Sequence, residues 1–263
     1  PVLGGFLTDS IGWKGIFIVL LILGVLLLFS NLHFKESLSV DNRKRGNLKS
    51  LVSSFGIVLK NRRYVYYVLQ MGFAMGVLFA NISSSPFIVQ QHYGFSAFEF
   101  SLFFGINALA IGLAAGLSVK FKNPEHAMFL GSVGMTMMSA VEFVILSNEY
   151  HFAVYEAVLF VLLFSMGLTF TASTTLAMDC ERANSGTASA LFGAAGFAFG
   201  GIVSPLVGLG DILSTTGLIF FVCSVCSLCF SVLAMNQTHT NLWGSFKCKM
   251  GPVTRFVFLR REK

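Results

Sequence analysis

Charged residues are scarce: 11% of 263 positions, with only 12 aspartates and glutamates in all. A soluble domain carries about 25%, so a soluble globule of this composition could not cover its own surface. Alternating ten-residue strands are also missing, which argues against a membrane β-barrel. No His-x-x-His, Glu-x-x-His or Ser-x-x-Lys constellation occurs in the apolar stretches. The five histidines (His33, His92, His126, His151, His239) stand apart, without ligand spacing. A membrane-embedded enzyme is disfavoured, and no metal ligands are assigned. Cys223, Cys226 and Cys229 form a Cys-x-x-Cys-x-x-Cys run, but Leu233 and Ala234 stand where an iron–sulfur motif wants its fourth cysteine. They read as small apolar fillers of a buried helix, and with Cys180 and Cys248 imply no disulfide framework.

Apolar residues make up 55% of the chain, mean hydropathy is +0.75, and there are 29 phenylalanines. A bilayer-spanning helix needs about 20 mostly apolar residues. Seven runs qualify: Gly15–Leu32, Val65–Val89, Ala97–Val119, Ala127–Leu146, Phe152–Met178, Ala188–Gly210 and Thr216–Met235. Their only charges are Glu99, Glu142 and Glu156, each near a segment end. Pro1–Leu7 reads as the tail of an eighth segment. The chain opens on Pro1 with no basic n-region or cleavage site, so no signal peptide is expected at its start, and it reads as part of a longer polypeptide. The expected fold is all-α: a polytopic membrane helix bundle of about seven full spans and a partial one.

The net charge of +6 raises nucleic acid as a partner, but its distribution excludes that. The stretch Lys35–Arg63 holds Lys35, Arg43, Lys44, Arg45, Lys49, Lys60, Arg62 and Arg63; Gln90–Ser96 holds no lysine or arginine. Lys120 and Lys122 follow, then a non-basic turn at 148–151, then Arg182, then a non-basic turn at 211–215, then a basic tail. Of the 18 basic residues only Lys14 breaks the alternation. Positive loops stay in the cytoplasm, which places Lys35–Arg63 and the carboxy terminus there. The lipid bilayer is the expected partner, with no nucleic acid. Four regions follow: 1–34, the end of an amino-terminal half; 35–63, a cytoplasmic central loop; 64–236, a six-helix half; 237–263, a basic tail. Six helices after a long basic loop is the plan of one transporter half.

Three motifs carry a resemblance. Pro1-Val-Leu-Gly4-Gly5 followed by Gly12-Trp13-Lys14-x-x-Phe17 resembles the end of the fifth-helix motif, and the entry to the sixth helix, of drug/proton antiporters of the major facilitator superfamily. Ser85-Pro86-Phe87, Tyr93-Gly94-Phe95-Ser96 and Phe103-x-x-x-Asn107-Ala108 resemble helices seven and eight of its Bcr/CflA drug-resistance subfamily. Ser185-Gly186-Thr187-Ala188 through Gly193 to Ser204-Pro205 resembles helix eleven. The resemblance implies a bacterial inner-membrane exporter of small amphipathic compounds. It would be driven by the proton gradient, with no bound cofactor. The alternative is a facilitator-type importer of a metabolite; a seven-span receptor fits the short connections and the motifs poorly. The first four helices, with the family's usual proton-coupling acids, are expected from a parent chain.

Gln70, Ala74, Val77, Asn81 and Ser84 recur at helical spacing, so Gln70 and Asn81 share a face, either toward a substrate cavity or toward neighbouring helices. Phe103 and Asn107 pair an aromatic ring with an amide one turn on, suited to planar or amphipathic compounds. Thr171 and Thr174 are cavity candidates that can instead bond back to their own helix. Glu142 reads as a snorkelled or paired structural residue, and Asp179 and Glu181 as local ion-pair partners of Arg182. Pro1, Gly4 and Gly5 are expected to pack on the outer half of Ala97–Val119 near Gly105. Gly193, Gly196, Gly200 and Gly201 are expected to form one smooth patch facing the absent half.

Overall fold

The computed structural model describes residues 2–34 and 48–249. In a bilayer every backbone polar group must be satisfied within the chain, so apolar runs of this length fold as helices. Among the described residues there is no strand. The helices are α1 (Val2–Leu32), α2 (Leu48–Leu59), α3 (Arg62–Pro86), α4 (Ala97–Ser118), α5 (Pro124–Ser147), α6 (Phe152–Cys180), α7 (Ser185–Leu206) and α8 (Ile212–Lys249). Among the described residues seven segments are long and apolar enough to span a membrane: Ile11–Leu32, Arg62–His92, Ala97–Ser118, Pro124–Ser147, Phe152–Cys180, Arg182–Leu209 and Ile212–Gln237. They match the seven expected runs within a few residues at each end.

Polar capping residues account for the extra turns. Asn61 accepts the Tyr64 amide, Ser96 and Glu99 form a reciprocal capping box, and Asn123 caps α5 with Pro124 in its first turn. Within α1, Gly12 has φ 68 and ψ 171, a conformation closed to other residues. It breaks the helix between the tail of one segment and the span that follows. Beyond Pro86, which has no N–H to donate, the chain continues as a π-helical turn, Phe87–His92.

The Lys35–Arg63 stretch is not a loop throughout. Residues 48–59 form α2, and Arg62 and Arg63 belong to α3. The physical reason is helical spacing of Leu51, Phe55 and Val58, of which Val58 is fully buried. The rest of that stretch, 35–47, and the tail from 250 onward lie outside the described residues.

The bundle has an internal two-fold pattern. α3 packs on α6, and α5 on α8. α4 and α5 both pack on α6, while α7 and α8 both pack on α3. Exchanging α3–α4–α5 for α6–α7–α8 maps these contacts onto themselves. Because α3 and α6 start at opposite ends of the bundle, the two triplets are inverted repeats, the construction of many transporter halves. α1 packs against α4 but is otherwise bare: in its most apolar window 6% of residues are buried.

Side-chain bonds lace the basic end. Arg63 and Glu125 form an ion pair at 2.9 Å, joining α3 to α5. Asn61 donates to Glu181 Oε1 at 2.8 Å, and the Tyr64 hydroxyl donates to the Ala188 carbonyl at 2.6 Å. Asp179 pairs with Arg182 at 2.9 Å as expected.

Candidate functional site

Aromatic side chains crowd the non-basic end. The π turn after α3 delivers Tyr93, the following turn Phe95, α4 contributes Phe103, and α6 contributes Phe152 and Tyr155. Ring centroids of Phe95 and Phe152 are 4.3 Å apart, of Phe103 and Phe152 4.7 Å, and of Tyr93 and Phe152 5.2 Å. The Tyr93 hydroxyl donates to the Tyr150 carbonyl at 2.9 Å. Burial raises the Tyr93 phenol above its ordinary value, and the nearby Glu142 and Glu149 carboxylates push the same way.

Between α4 and α6 this cluster walls a pocket of about 520 Å³, lined by Phe95, Phe103, Ile106, Phe152, Phe160 and Glu156 with two alanines. The cleft is wide open and almost wholly apolar at its surface, and its volume lies in the range of small-molecule sites. Glu156 is held in place by Asn107, whose Nδ2 donates to Oε1 at 2.9 Å. The Asn107 amide oxygen is buried without a hydrogen-bond partner.

The expected site residues divide. Phe103 lines this pocket, whereas Asn107 is buried and reaches it only through its bond to Glu156. Gln70 does not join them: it is fully buried, donates to Ser227 Oγ at 3.0 Å, and accepts from Ser173. It ties α3 to α8 and α6 inside the half and is not among the residues that line the α4–α6 pocket. Asn81 shares its face, as the spacing implies, but is also internal, accepting from Ser85 Oγ at 2.7 Å. Thr174 bonds back to the Phe170 carbonyl at 2.8 Å. Thr171 is half-buried on α6, and its carbonyl accepts from Thr175 at 3.0 Å.

Glu142 departs most from expectation. It neither snorkels nor pairs: the residue is 0% exposed and both carboxylate oxygens lack a hydrogen-bond partner. Its place on α5 turns it inward, toward α6, instead of out along the helix end. Glu181 accepts from Asn61 and not from Arg182.

The glycine patch also splits. A methyl group at Gly196 would meet Met75 at 3.4 Å, and one at Gly200 would collide with the Phe79 ring at 2.4 Å, so both are packed on α3. At Gly193 and Gly201 the space is open. A strip spread over part of a turn presents two edges, and only one faces outward. At Gly4 an added methyl would meet nothing within 4 Å. Gly105 is half-buried on α4; Pro1 lies outside the described residues, and so do the surroundings of Gly5. Among the described residues no group of three or more His, Cys, Asp or Glu is placed to hold a metal.

An all-helical bundle of inverted triplets, with seven described segments long and apolar enough to cross a bilayer, has the architecture of one half of many membrane transporters. The family model of the Major Facilitator Superfamily matches residues 1–205, and the chain belongs to that superfamily. It is 34% identical over 249 residues to the uncharacterized MFS-type transporter YdgK of Bacillus subtilis, covering 92% of this chain and 62% of the relative. It is 25% identical over 214 residues to a bicyclomycin resistance protein homolog of Haemophilus influenzae, covering 79% and 53%. It is also 25% identical over 201 residues to the multidrug transporter MdfA of Escherichia coli, covering 73% and 48%. The chain thus spans about half to three-fifths of these relatives' length.

Proposed function

We propose that this chain is the carboxy-terminal part of a Bcr/CflA-type exporter that expels drugs or other small amphipathic compounds in exchange for protons. It would sit in the bacterial inner membrane with Lys35–Arg63 and the carboxy terminus in the cytoplasm. The observation that carries this reading is the α4–α6 pocket, which Phe95, Phe103, Phe152 and Phe160 line together with Glu156. Flat apolar compounds stack on such rings, and the carboxylate with its Asn107 partner orients a polar group. The names of the Haemophilus and Escherichia relatives point the same way. The export cycle needs two halves rocking about a site between them, so the amino-terminal helices of a parent chain complete the machine.

The test is efflux of a fluorescent drug from a strain stripped of its own exporters, with and without an uncoupler. A parent-length protein should export in an uncoupler-sensitive way. Phe103→Ala and Asn107→Ala should change which compounds are tolerated at unchanged abundance. Residues 1–263 alone should show no uncoupler-sensitive efflux. Export by the parent that ignores the uncoupler, or a tolerance profile unmoved by both substitutions, would overturn the reading.

A further inference from the structure

The mechanism above uses Glu156 and leaves Glu142 idle, although Glu142 is the more unusual residue. It sits in α5, 0% exposed, with neither oxygen hydrogen-bonded. The charged and titratable groups facing it come from two places. α6 presents Tyr155 and Glu156, and the turn after α3 presents Tyr93; each interacts electrostatically with Glu142. α8, which packs on α5, carries no titratable side chain from 212 to 222, and α3 with the start of the turn after it carries none from 74 to 89. No lysine, arginine or histidine is among these groups. An ionised Glu142 would therefore face a second carboxylate with neither a cation nor a donor to offset it, and unpaired charge at membrane depth is costly.

A buried polar chain surrounds the pair. Ser85 donates to Asn81 and is also a hydrogen-bond partner of Tyr155. Asn107 donates to Glu156 and keeps an unpartnered, buried amide oxygen. Three buried acceptor atoms, two on Glu142 and one on Asn107, thus lack a donor around one pair of carboxylates. A proton bound on either carboxyl group supplies one of the missing donors.

We propose that Glu142 and Glu156 form a proton site in this half of the transporter, in which Glu142 stores a proton and exchanges it with Glu156 at the pocket wall. In the exchange an O–H bond breaks at one carboxyl group and forms at the other, and the pair keeps a net charge of −1. Release of that proton to solvent leaves both groups ionised. Repulsion between them then favours either reprotonation or a cationic occupant beside Glu156. Tyr155 and Tyr93, the hydroxyl-bearing neighbours, border the route. The purpose of the site rests on the transporter reading, but its existence does not.

The test is infrared titration of residues 1–263 in lipid, which needs no transport. The wild-type protein should show a protonated-carboxyl stretching band at pH 7, when exposed carboxylates are ionised. Glu142→Gln, a near-isostere of the neutral acid, should remove most of it with helicity unchanged. Glu156→Gln keeps an acceptor for Asn107 and should move the midpoint of the remaining band. Absence of the band at pH 7, its full survival in Glu142→Gln, or an unmoved midpoint in Glu156→Gln would each overturn the proposal. Efflux measurements on the parent test the transporter reading separately.

Discussion

The close approach of α5 and α6 at Gly131 is a place to test the packing account. At Gly131 on α5 an added methyl would sit 2.3 Å from Thr169 Oγ1, 2.6 Å from the Ser165 carbonyl oxygen and 2.9 Å from the Thr169 amide nitrogen. Two of these three atoms are α6 backbone, which cannot rotate away, so Gly131→Ala forces the helices apart. Overpacking of this kind costs about 1–3 kcal/mol, and rigid backbone puts it near the top. Alanine returns about 1 kcal/mol of helix propensity, leaving a net loss of about 2 kcal/mol. Gly193→Ala is the same chemical change on α7, where nothing lies within 4 Å. There only the propensity term operates, a gain of up to about 1 kcal/mol. Equilibrium unfolding of the purified chain in mixed micelles should rank Gly193→Ala at or above wild type and Gly131→Ala below it. Equal stabilities for the two variants would refute the claim that close approach, and not glycine itself, is what α5 and α6 require.

Gln70→Ala should lower stability by about 0.6–2 kcal/mol through lost interhelical bonds, read by the same unfolding assay, while leaving the parent's compound tolerance unchanged. Cysteine labelling at positions 44 and 91 should report opposite sides of the membrane; labelling from one side would sink the orientation. Asp211 accepts from the Ser214 amide at 2.9 Å and hydroxyl at 2.8 Å, and the backbone bond first, then the side-chain bond, holds its carboxyl below the usual carboxylate range. A depressed folded-state value means that the cap's contribution is complete above about pH 4 and is lost as pH falls through the folded value. Protection against hydrogen exchange in the first turn of α8, taken relative to the intrinsic rate at each pH, should therefore fall below about pH 4 in wild type, whereas in Asp211→Asn it should not depend on pH in that way.

The spans were legible because each carries enough uninterrupted apolar residues to satisfy the bilayer length alone. Their ends were less so, because Asn61, Ser96 and Asn123 extend helices with polar caps that an apolar window discards. α2 escaped notice for the opposite reason: twelve residues with apolar spacing at 51, 55 and 58 sit in a stretch conspicuous for its charge. Periodicity placed Gln70 and Asn81 on one face correctly, but it cannot say whether that face meets a cavity or another helix. The bonds from Gln70 to Ser227 on α8 and Ser173 on α6 come from the packing of those helices. For Glu142 the sequence gives distance from the helix end, and rotation about the helix axis is what buries it. Glu156 had a readable signal: Phe152 and Phe160 lie one turn to either side of it and line the same pocket.

The two-fold pattern adds an argument about the outer surface. Exchange of the triplets makes α4 the counterpart of α7. α4 packs on α6 and carries α1 on its other side; α7 packs on α3. Beyond Gly196 and Gly200, which are filled by α3, the edge bearing Gly193 and Gly201 is open, and Phe197 between them is 73% exposed. On the function proposed above, this edge is the equivalent of the α4 surface that α1 covers. A helix of the amino-terminal half would lie there close to the backbone, because glycine removes the side chains that would hold it off. Bulk at Gly193 or Gly201 should then leave the isolated chain folded, since neither position touches its own neighbours, while disturbing the rocking of the complete transporter. The two glycine edges of α7 thus serve separable ends: one closes this half on itself, and the other is kept smooth for a partner.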